Sequence, residues 1–318
     1  MTDILTVTMN PCIDVSAVTE HIRPTSKLRC QQVQRHPGGG GINVARVLHR
    51  LGADCTALYP LGGSTGQLLA QLMDEEGVTS VKVPIAGHIR ESFTVAETSS
   101  AQEYRFVLPG PTLQDDEWQA CLDRIAAISP SPRIVVGSGS LPPGVPADFY
   151  GRLAQQVKAG GGKFIVDTSG PALAASLEQG VFMVKPSLRE IREMTGQSLL
   201  TMAELRQAAL QWVHDGKAEL VVVSMGEKGA LMVTAGSTLF APALSVDVVS
   251  AVGAGDSFVA GMAWALAANK DTEEAFRYGV ACGTAALMST GTGLCVPVDV
   301  YRIFPQVKCT KSLPFEPV

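Results

Sequence analysis

The stretch Ala251-Val252-Gly253-Ala254-Gly255-Asp256-Ser257 combines the residue types needed to hold a phosphate and to deprotonate a hydroxyl. Gly253 and Gly255 permit a tight turn that brings bare backbone against a ligand. The apolar, proline-free run 258–268 predicts a buried helix, whose N-terminus would present unpaired N–H groups and a positive dipole end. A carboxylate beside such a site repels an anion. Asp256 therefore invites a catalytic reading, as a base taking the proton of an attacking hydroxyl while the N–H groups hold the developing charge. The same seven residues also read as an acidic cap on a buried helix, and alone they do not decide.

A second glycine run, Pro37-Gly38-Gly39-Gly40-Gly41-Ile42-Asn43, opens an amphipathic helix. Four glycines carry a large entropy cost without local gain, which favours a ligand resting on bare backbone over a flexible loop. Asn43, in the first turn, offers both a donor and an acceptor.

The elements that must position these two runs follow a βα alternation. Residues 4–8 (ILTVT) predict a buried first strand, broken by Asn10-Pro11. Strands at 55–61 and 81–84 flank a helix at 67–76. Later strands at 133–138, 163–167, 182–185, 220–224 and 230–234 are separated by helices at 147–159 and 188–195. This rhythm predicts a mostly parallel sheet covered on both faces. Residues 246–249 read as a short strand leading into the Gly253 turn. Strands 92–98 and 104–108, joined at 99–102, read as a hairpin. With 15–35 they predict a small sheet standing apart from the alternation and able to act as a lid.

Ligands in parallel sheets bind beyond the carboxyl ends of the strands, where Ser140, Asp167, Lys185, Glu190 and Gly226 all fall. Asp14, just past the first strand, reads as a turn residue or as an acceptor for sugar hydroxyls. Lys27 and Arg29 share a parity, so on a strand they would point to one face; a solvated sheet edge is the plainer reading. Arg90, entering the hairpin, reads as a surface charge or as a phosphate clamp with Lys27.

Composition narrows the classes. A chain of 318 residues that is 46% hydrophobic and 17% charged can build a large core and is not a disordered protein. The net charge of −5, with scattered Lys and Arg, gives no nucleic-acid face. No apolar run reaches the length of a membrane span, and Asp3 stands where a signal peptide would carry positive charge. Seven widely spaced cysteines without a C-x-x-C pair point to a reducing cytoplasm. There is no G-x-x-x-x-G-K-[ST] loop, and no G-x-G-x-x-G follows the first strand.

Pro37–Asn43 (PGGGGIN) and Val252–Ser257 (VGAGDS) together resemble the two signatures of the ribokinase-like, or PfkB, carbohydrate kinases, and the likeness runs from Leu5 to about Cys295. Lys27-Leu28-Arg29-Cys30, Tyr104-Arg105-Phe106-Val107, the GGGGINVAR run and Gly139-Ser140-Leu141-Pro142-Pro143-Gly144 stand in order at compatible spacing. The resemblance implies one α/β kinase domain over 1–318, a three-layer α/β/α sandwich with a lid sheet drawn from about 12–35 and 88–108. It implies transfer of the γ-phosphoryl group of ATP to the 1-hydroxyl of fructose 6-phosphate, with Asp256 as base and Gly253, Ala254 and Gly255 as the anion hole. By the same resemblance Asp14, Gly39, Gly40 and Asn43 would hold the sugar. Lys27 and Arg90 would grip its phosphate, with Arg29 and Ser140 nearby. The nucleotide would lie along Lys185, Ser187, Ser224, Gly226, Gly229, Val280 and Gly283.

Magnesium would be held mainly through phosphates and waters near Glu190 and Asp167. Potassium would sit on oxygens of Ser250, Val252, Ser289 and Gly291, and lid sheets would pair in a homodimer. Two positions depart from the family pattern. Ser187 replaces the usual Asn of Asn-x-x-Glu, and Ala251 replaces a frequent Thr. 1-Phosphofructokinase and tagatose-6-phosphate kinase share most of these motifs. A non-catalytic sugar-phosphate or nucleotide sensor is disfavoured by Asp256, and a nicotinamide dehydrogenase by the missing fingerprint. Two cations in a neutral sugar site favour a phosphorylated sugar.

Overall fold

The computed structural model describes residues 3–313. Its strands are β1 (Ile4–Val7), β2 (Cys12–Thr19), β3 (Gln31–Gly38), β4 (Cys55–Leu61), β5 (Thr79–Pro84), β6 (Arg90–Glu97), β7 (Gln102–Val107), β8 (Ile134–Ser138), β9 (Lys163–Asp167), β10 (Val181–Val184), β11 (Ala218–Ser224), β12 (Ala230–Thr234) and β13 (Thr238–Ala241). Its helices are α1 (Gly40–Arg50), α2 (Gly63–Glu75), α3 (Asp115–Ala126), α4 (Phe149–Ala159), α5 (Gly170–Glu178), α6 (Leu188–Thr195), α7 (Met202–His214), α8 (Ala254–Ala267), α9 (Thr272–Ala286) and α10 (Pro297–Ile303).

Short apolar runs such as ILTV and VFMV become central strands because both sheet faces are covered. The large sheet has the order β13-β12-β11-β10-β9-β8-β1-β4-β5, parallel from β5 to β11 and closed by the antiparallel β12 and β13. Alternation along each strand splits the core. Leu5, Val135 and Phe164 pack on one side with α3 and α4, and Ile4, Val136 and Ile165 on the other with α1, α8 and α9. The expected three-layer sandwich is therefore present. The second sheet has the order β3-β2-β6-β7, and Ile13 and Val15 of its interior strand β2 pack over α1 and α2. Among the described residues, no helix is long and apolar enough to cross a membrane.

Two expectations are corrected. Residues 246–249 form no strand: Val248 and Val249 are more than half exposed, and the N–H groups of Val249 and Ser250 both donate to Leu287 O, leaving no ladder. Lys27 and Arg29 lie on no strand either. They occupy the exposed loop between β2 and β3.

Candidate active site

In the large sheet the chain runs from β1 outward to β4 and β5, then returns to β8 on the other side of β1 and continues toward β13. Connections leave β1 and β8 in opposite directions, so a crevice opens beyond their carboxyl ends. A cavity of about 280 Å³ lies there, lined by residues that follow or end β1, β8 and β9 and by the inner face of the small sheet.

Two helix starts converge on it. Gly40 begins α1 against the end of β8; a Cβ there would strike Ser138 Oγ and come 2.9 Å from Gly139 N. Gly253 caps α8 with φ +76°, in the left-handed region that favours glycine. Asp256 is thus in the first turn of α8 rather than its cap, so its carboxylate makes no capping bond and can only favour the helix through the dipole. Its Oδ2 accepts a hydrogen bond from Asn43 Nδ2 at 2.8 Å, joining the two helix starts. Burial pushes the Asp256 carboxyl up to about 6, and nearby Asp167 and Asp14 add to the rise while Asn43 and Lys185 oppose it. A carboxyl at that value is ionised at neutral pH and still basic enough to accept a proton. Asn43 Oδ1 is buried without a partner, an acceptor left over beside the cavity.

The small sheet supplies the opposing groups. Cys12↔Arg90 and Asp14↔Ser92 pair in register on parallel β2 and β6, so Asp14 and Arg90 share a face. Burial raises the Asp14 carboxyl, opposed by the Cys12 thiol, which donates to its Oδ1 at 3.1 Å, and by Arg90. Arg90 Nε donates to Asn10 Oδ1 at 3.0 Å, and Asn10 Nδ2 in turn donates to Ser140 Oγ at 3.1 Å.

Behind the α8 turn, Lys185 Nζ pairs with Asp167 Oδ1 at 3.1 Å, both nearly buried. Burial works against the ammonium, but Asp167, with Glu190 and Asp256, outweighs it and holds Lys185 above its usual range. A Cβ at Gly255 would sit 3.4 Å from Lys185 Nζ, so this cation lies directly under the glycine turn. Ser187 caps α6. Its Oγ accepts from Glu190 N at 3.2 Å, and Glu190 Oε2 accepts from Ser187 N at 2.7 Å.

The profile of the pfkB family carbohydrate kinases matches residues 4–299. The chain belongs to this family. Among its relatives, the ATP-dependent 6-phosphofructokinase isozyme 2 of Mycobacterium tuberculosis is 46% identical over 301 residues, covering 95% of this chain and 88% of the relative. Its Escherichia coli counterpart is 40% identical over 305 residues, covering 96% and 98%. The solved structure of E. coli phosphofructokinase-2 with fructose-6-phosphate superposes with a TM-score of 0.90 at 38% identity, covering 96% of this chain and 99% of that one. The 1-phosphofructokinase of Bacillus subtilis is 33% identical, covering 97% and 99%.

Against this pfkB background the cavity gathers Asp14, Gly39, Gly40, Asn43, Arg90, Ser140, Asp167, Glu190, Val252, Gly253 and Asp256. Lys27 and Arg29 do not line it, nor do Ala254 and Gly255 of the expected anion hole. The expected nucleotide residues also lie outside it. Lys185 sits behind Asp167, which lines it, Val280 is buried where Gly283 packs against α8, Ser224 ends β11 and Gly226 follows it. Around the expected monovalent-ion loop, Ser250 Oγ donates to Glu103 Oε2 and Ser289 Oγ donates to Leu294 O, so both hydroxyl protons are committed. Arg105, Cys12, Ser92 and Thr292 are cavity residues that sequence reasoning missed. Arg105 was accessible: across the hairpin it pairs with Thr94, on the parity of Arg90 and Ser92. Asn10 was read only as a strand breaker.

Proposed function

We propose that this pfkB kinase is an ATP-dependent 6-phosphofructokinase, transferring the γ-phosphoryl group of ATP to the 1-hydroxyl of fructose 6-phosphate to give fructose 1,6-bisphosphate. The observation that carries the reading is Asp256. It is a carboxyl raised to about 6 in the first turn of α8, hydrogen-bonded to Asn43 and facing the cavity that Asp14 and Arg90 share. The identity to relatives named for this activity supports the choice of sugar.

Asp256 takes the proton of the 1-hydroxyl as its oxygen attacks the γ-phosphorus and the bond to the ADP oxygen breaks, and the turn Gly253–Gly255 faces the charge that develops on the phosphoryl oxygens, the Ala254 N–H giving up its long 3.4 Å bond to Ala251 O to do so. Asp14 and Asn43 accept sugar hydroxyls against Gly39 and Gly40. Arg90 and Arg105 hold the 6-phosphate with Ser140 close by. Lys27 and Arg29, on an exposed loop, would serve such a site across a subunit contact. Lys185 fixes Asp167 and adds positive charge beneath the turn. The nucleotide extends toward Ser187, Ser224, Gly226, Gly229, Val280 and Gly283.

The donor set fits magnesium. Glu190 and Asp167 offer hard oxygens at one cavity wall, and the described residues hold no cluster of three or more His, Cys, Asp or Glu that would form a protein cage. Bound magnesium would neutralise phosphate charge. Potassium would take backbone oxygens near Ser250, Val252, Ser289 and Gly291; E. coli phosphofructokinase-2 has been solved with potassium.

The small sheet is read as a lid inserted into a single kinase domain. Its outer face exposes Val33 and Phe106, which suits pairing with the lid of a second copy in a homodimer. The E. coli relative has also been solved as an inhibited tetramer. Seven cysteines, none in a disulfide, suit the cytoplasm. The test is Asp256→Asn. Turnover should fall roughly 10²–10⁴-fold with substrate affinity retained, the span expected on loss of a general base; near wild-type turnover would remove Asp256 from the chemistry.

A further inference from the structure

The GGGGINVAR run contains one charged residue that the reaction above does not use. Arg46, in the middle of α1, is 0% exposed. Its Nε donates to Glu76 Oε1 at 2.9 Å, and its Nη1 donates to two backbone carbonyls, Pro37 O and Thr292 O, each at 3.1 Å. Arg50, one turn further along α1, shares Glu76 and donates to Gly293 O at 2.6 Å.

Of these carbonyls one belongs to a residue of the cavity wall, Thr292, and another to a residue just before the wall, Pro37. Pro37 leads into Gly39 and Gly40, which line the cavity, and Thr292 lines it from the loop after α9. Leu294, two residues on, is the side chain that a Cβ at Gly253 would strike, so the same loop backs the α8 turn. One guanidinium thus crosslinks the segment that introduces the sugar-side glycines to the loop that braces the helix start carrying Asp256. Asn43 lies one turn before Arg46 on α1 and bonds Asp256 directly.

Stability alone is a poor reason for this arrangement. A buried ion pair returns little over well-packed apolar side chains of the same volume, because desolvation offsets the attraction. Two arginines against one glutamate leave net positive charge behind the cavity. The choice of acceptors is more informative: a planar fork can hold a carboxylate and two separate carbonyls at fixed angles, which neither an apolar chain nor a lysine can do.

We propose that Arg46 is a positioning residue for phosphoryl transfer: it holds the 292–294 loop on α1, and so keeps Asn43 and Asp256 at their working separation. The proposal rests on the reading of Asp256 as the base. Displacement of a catalytic group by a fraction of an ångström costs turnover more than ground-state binding.

The experiment is a double-mutant cycle with fructose 6-phosphate and MgATP. Arg46→Lys keeps the charge and loses the fork; its turnover should fall about 10-fold or more, with both KM values within about threefold of wild type. In the Asp256→Asn background the same substitution should cost almost nothing further, because the two residues act through one another. Additive losses in the two backgrounds, or a lowered melting temperature with normal turnover per folded molecule, would overturn the proposal and leave Arg46 as an ordinary fold contact. If Arg46→Lys does not fold, Arg50→Gln, at a partly exposed site bracing the same loop, carries the cycle under the same criteria. Wild-type protein that binds both substrates without turnover would refute the functional reading itself, a result distinct from a variant that matches an active wild type.

Discussion

Asp256→Asn should stabilise the protein while disabling it. The side chain is isosteric, and its amide oxygen can still accept from Asn43 Nδ2, which now reaches Asp256 at 2.8 Å. What changes is the charge. Raising the carboxyl from an ordinary 3.8 to about 6 means that, at neutral pH, folding carries this carboxylate at a cost of at most about 3 kcal/mol. Cavity water returns part of that, so a gain of about 1–3 kcal/mol is expected. Spread over the unfolding entropy of a chain this size, it corresponds to a rise in Tm of roughly 2–4 °C.

The pH dependence has a definite sign. The folded state binds the Asp256 proton more tightly than the unfolded state, so the wild-type penalty is full above pH 6, shrinks between about 6 and 4, and is absent below. Differential scanning calorimetry of both proteins at pH 7.5, 5.5 and 4 should therefore show a stabilised variant only at the higher values. A variant no more stable than wild type at pH 7.5, or a difference that persists at pH 4, would refute the electrostatic account of this residue.

Arg90→Ala should raise KM for fructose 6-phosphate about 10–100-fold, the worth of a charge-assisted hydrogen bond, and leave KM for MgATP unchanged in steady-state assays; equal effects on both would indicate a displaced sheet. Lys185→Met leaves Asp167 buried and unpaired, so chemical denaturation at pH 7.5 should show a loss of about 3–5 kcal/mol. That deficit should narrow as pH falls and Asp167 takes up a proton; a deficit independent of pH would point to packing instead.

Much of the site was legible because its chemistry is local. The Gly253 turn, the opening of α1 and the β6–β7 hairpin each rest on residues adjacent in sequence. Convergence was not legible. The Arg90–Asn10–Ser140 chain spans contacts far apart in sequence, and the Lys185–Asp167 pair exists because β9 and β10 are neighbours in the sheet. The valines at 246, 248 and 249 have strand propensity, but the N–H groups of Val249 and Ser250 turn to Leu287 O rather than to a strand, so propensity yields to context. Ser187, where the resemblance leads one to expect asparagine, closes a reciprocal cap with Glu190; the Ser-x-x-Glu spacing ahead of the helix expected at 188–195 already carried that signal.

The central claim, phosphoryl transfer from ATP to fructose 6-phosphate, is tested most directly by coupled ADP release with MgATP and a panel of fructose 6-phosphate, fructose 1-phosphate, tagatose 6-phosphate, fructose and ribose. The account predicts the highest kcat/KM for fructose 6-phosphate and little turnover of the unphosphorylated sugars, which leave Arg90 without its anion. A preference for fructose 1-phosphate or tagatose 6-phosphate would contradict the assigned substrate. Silence across the panel from folded protein that binds MgATP would contradict the kinase reading.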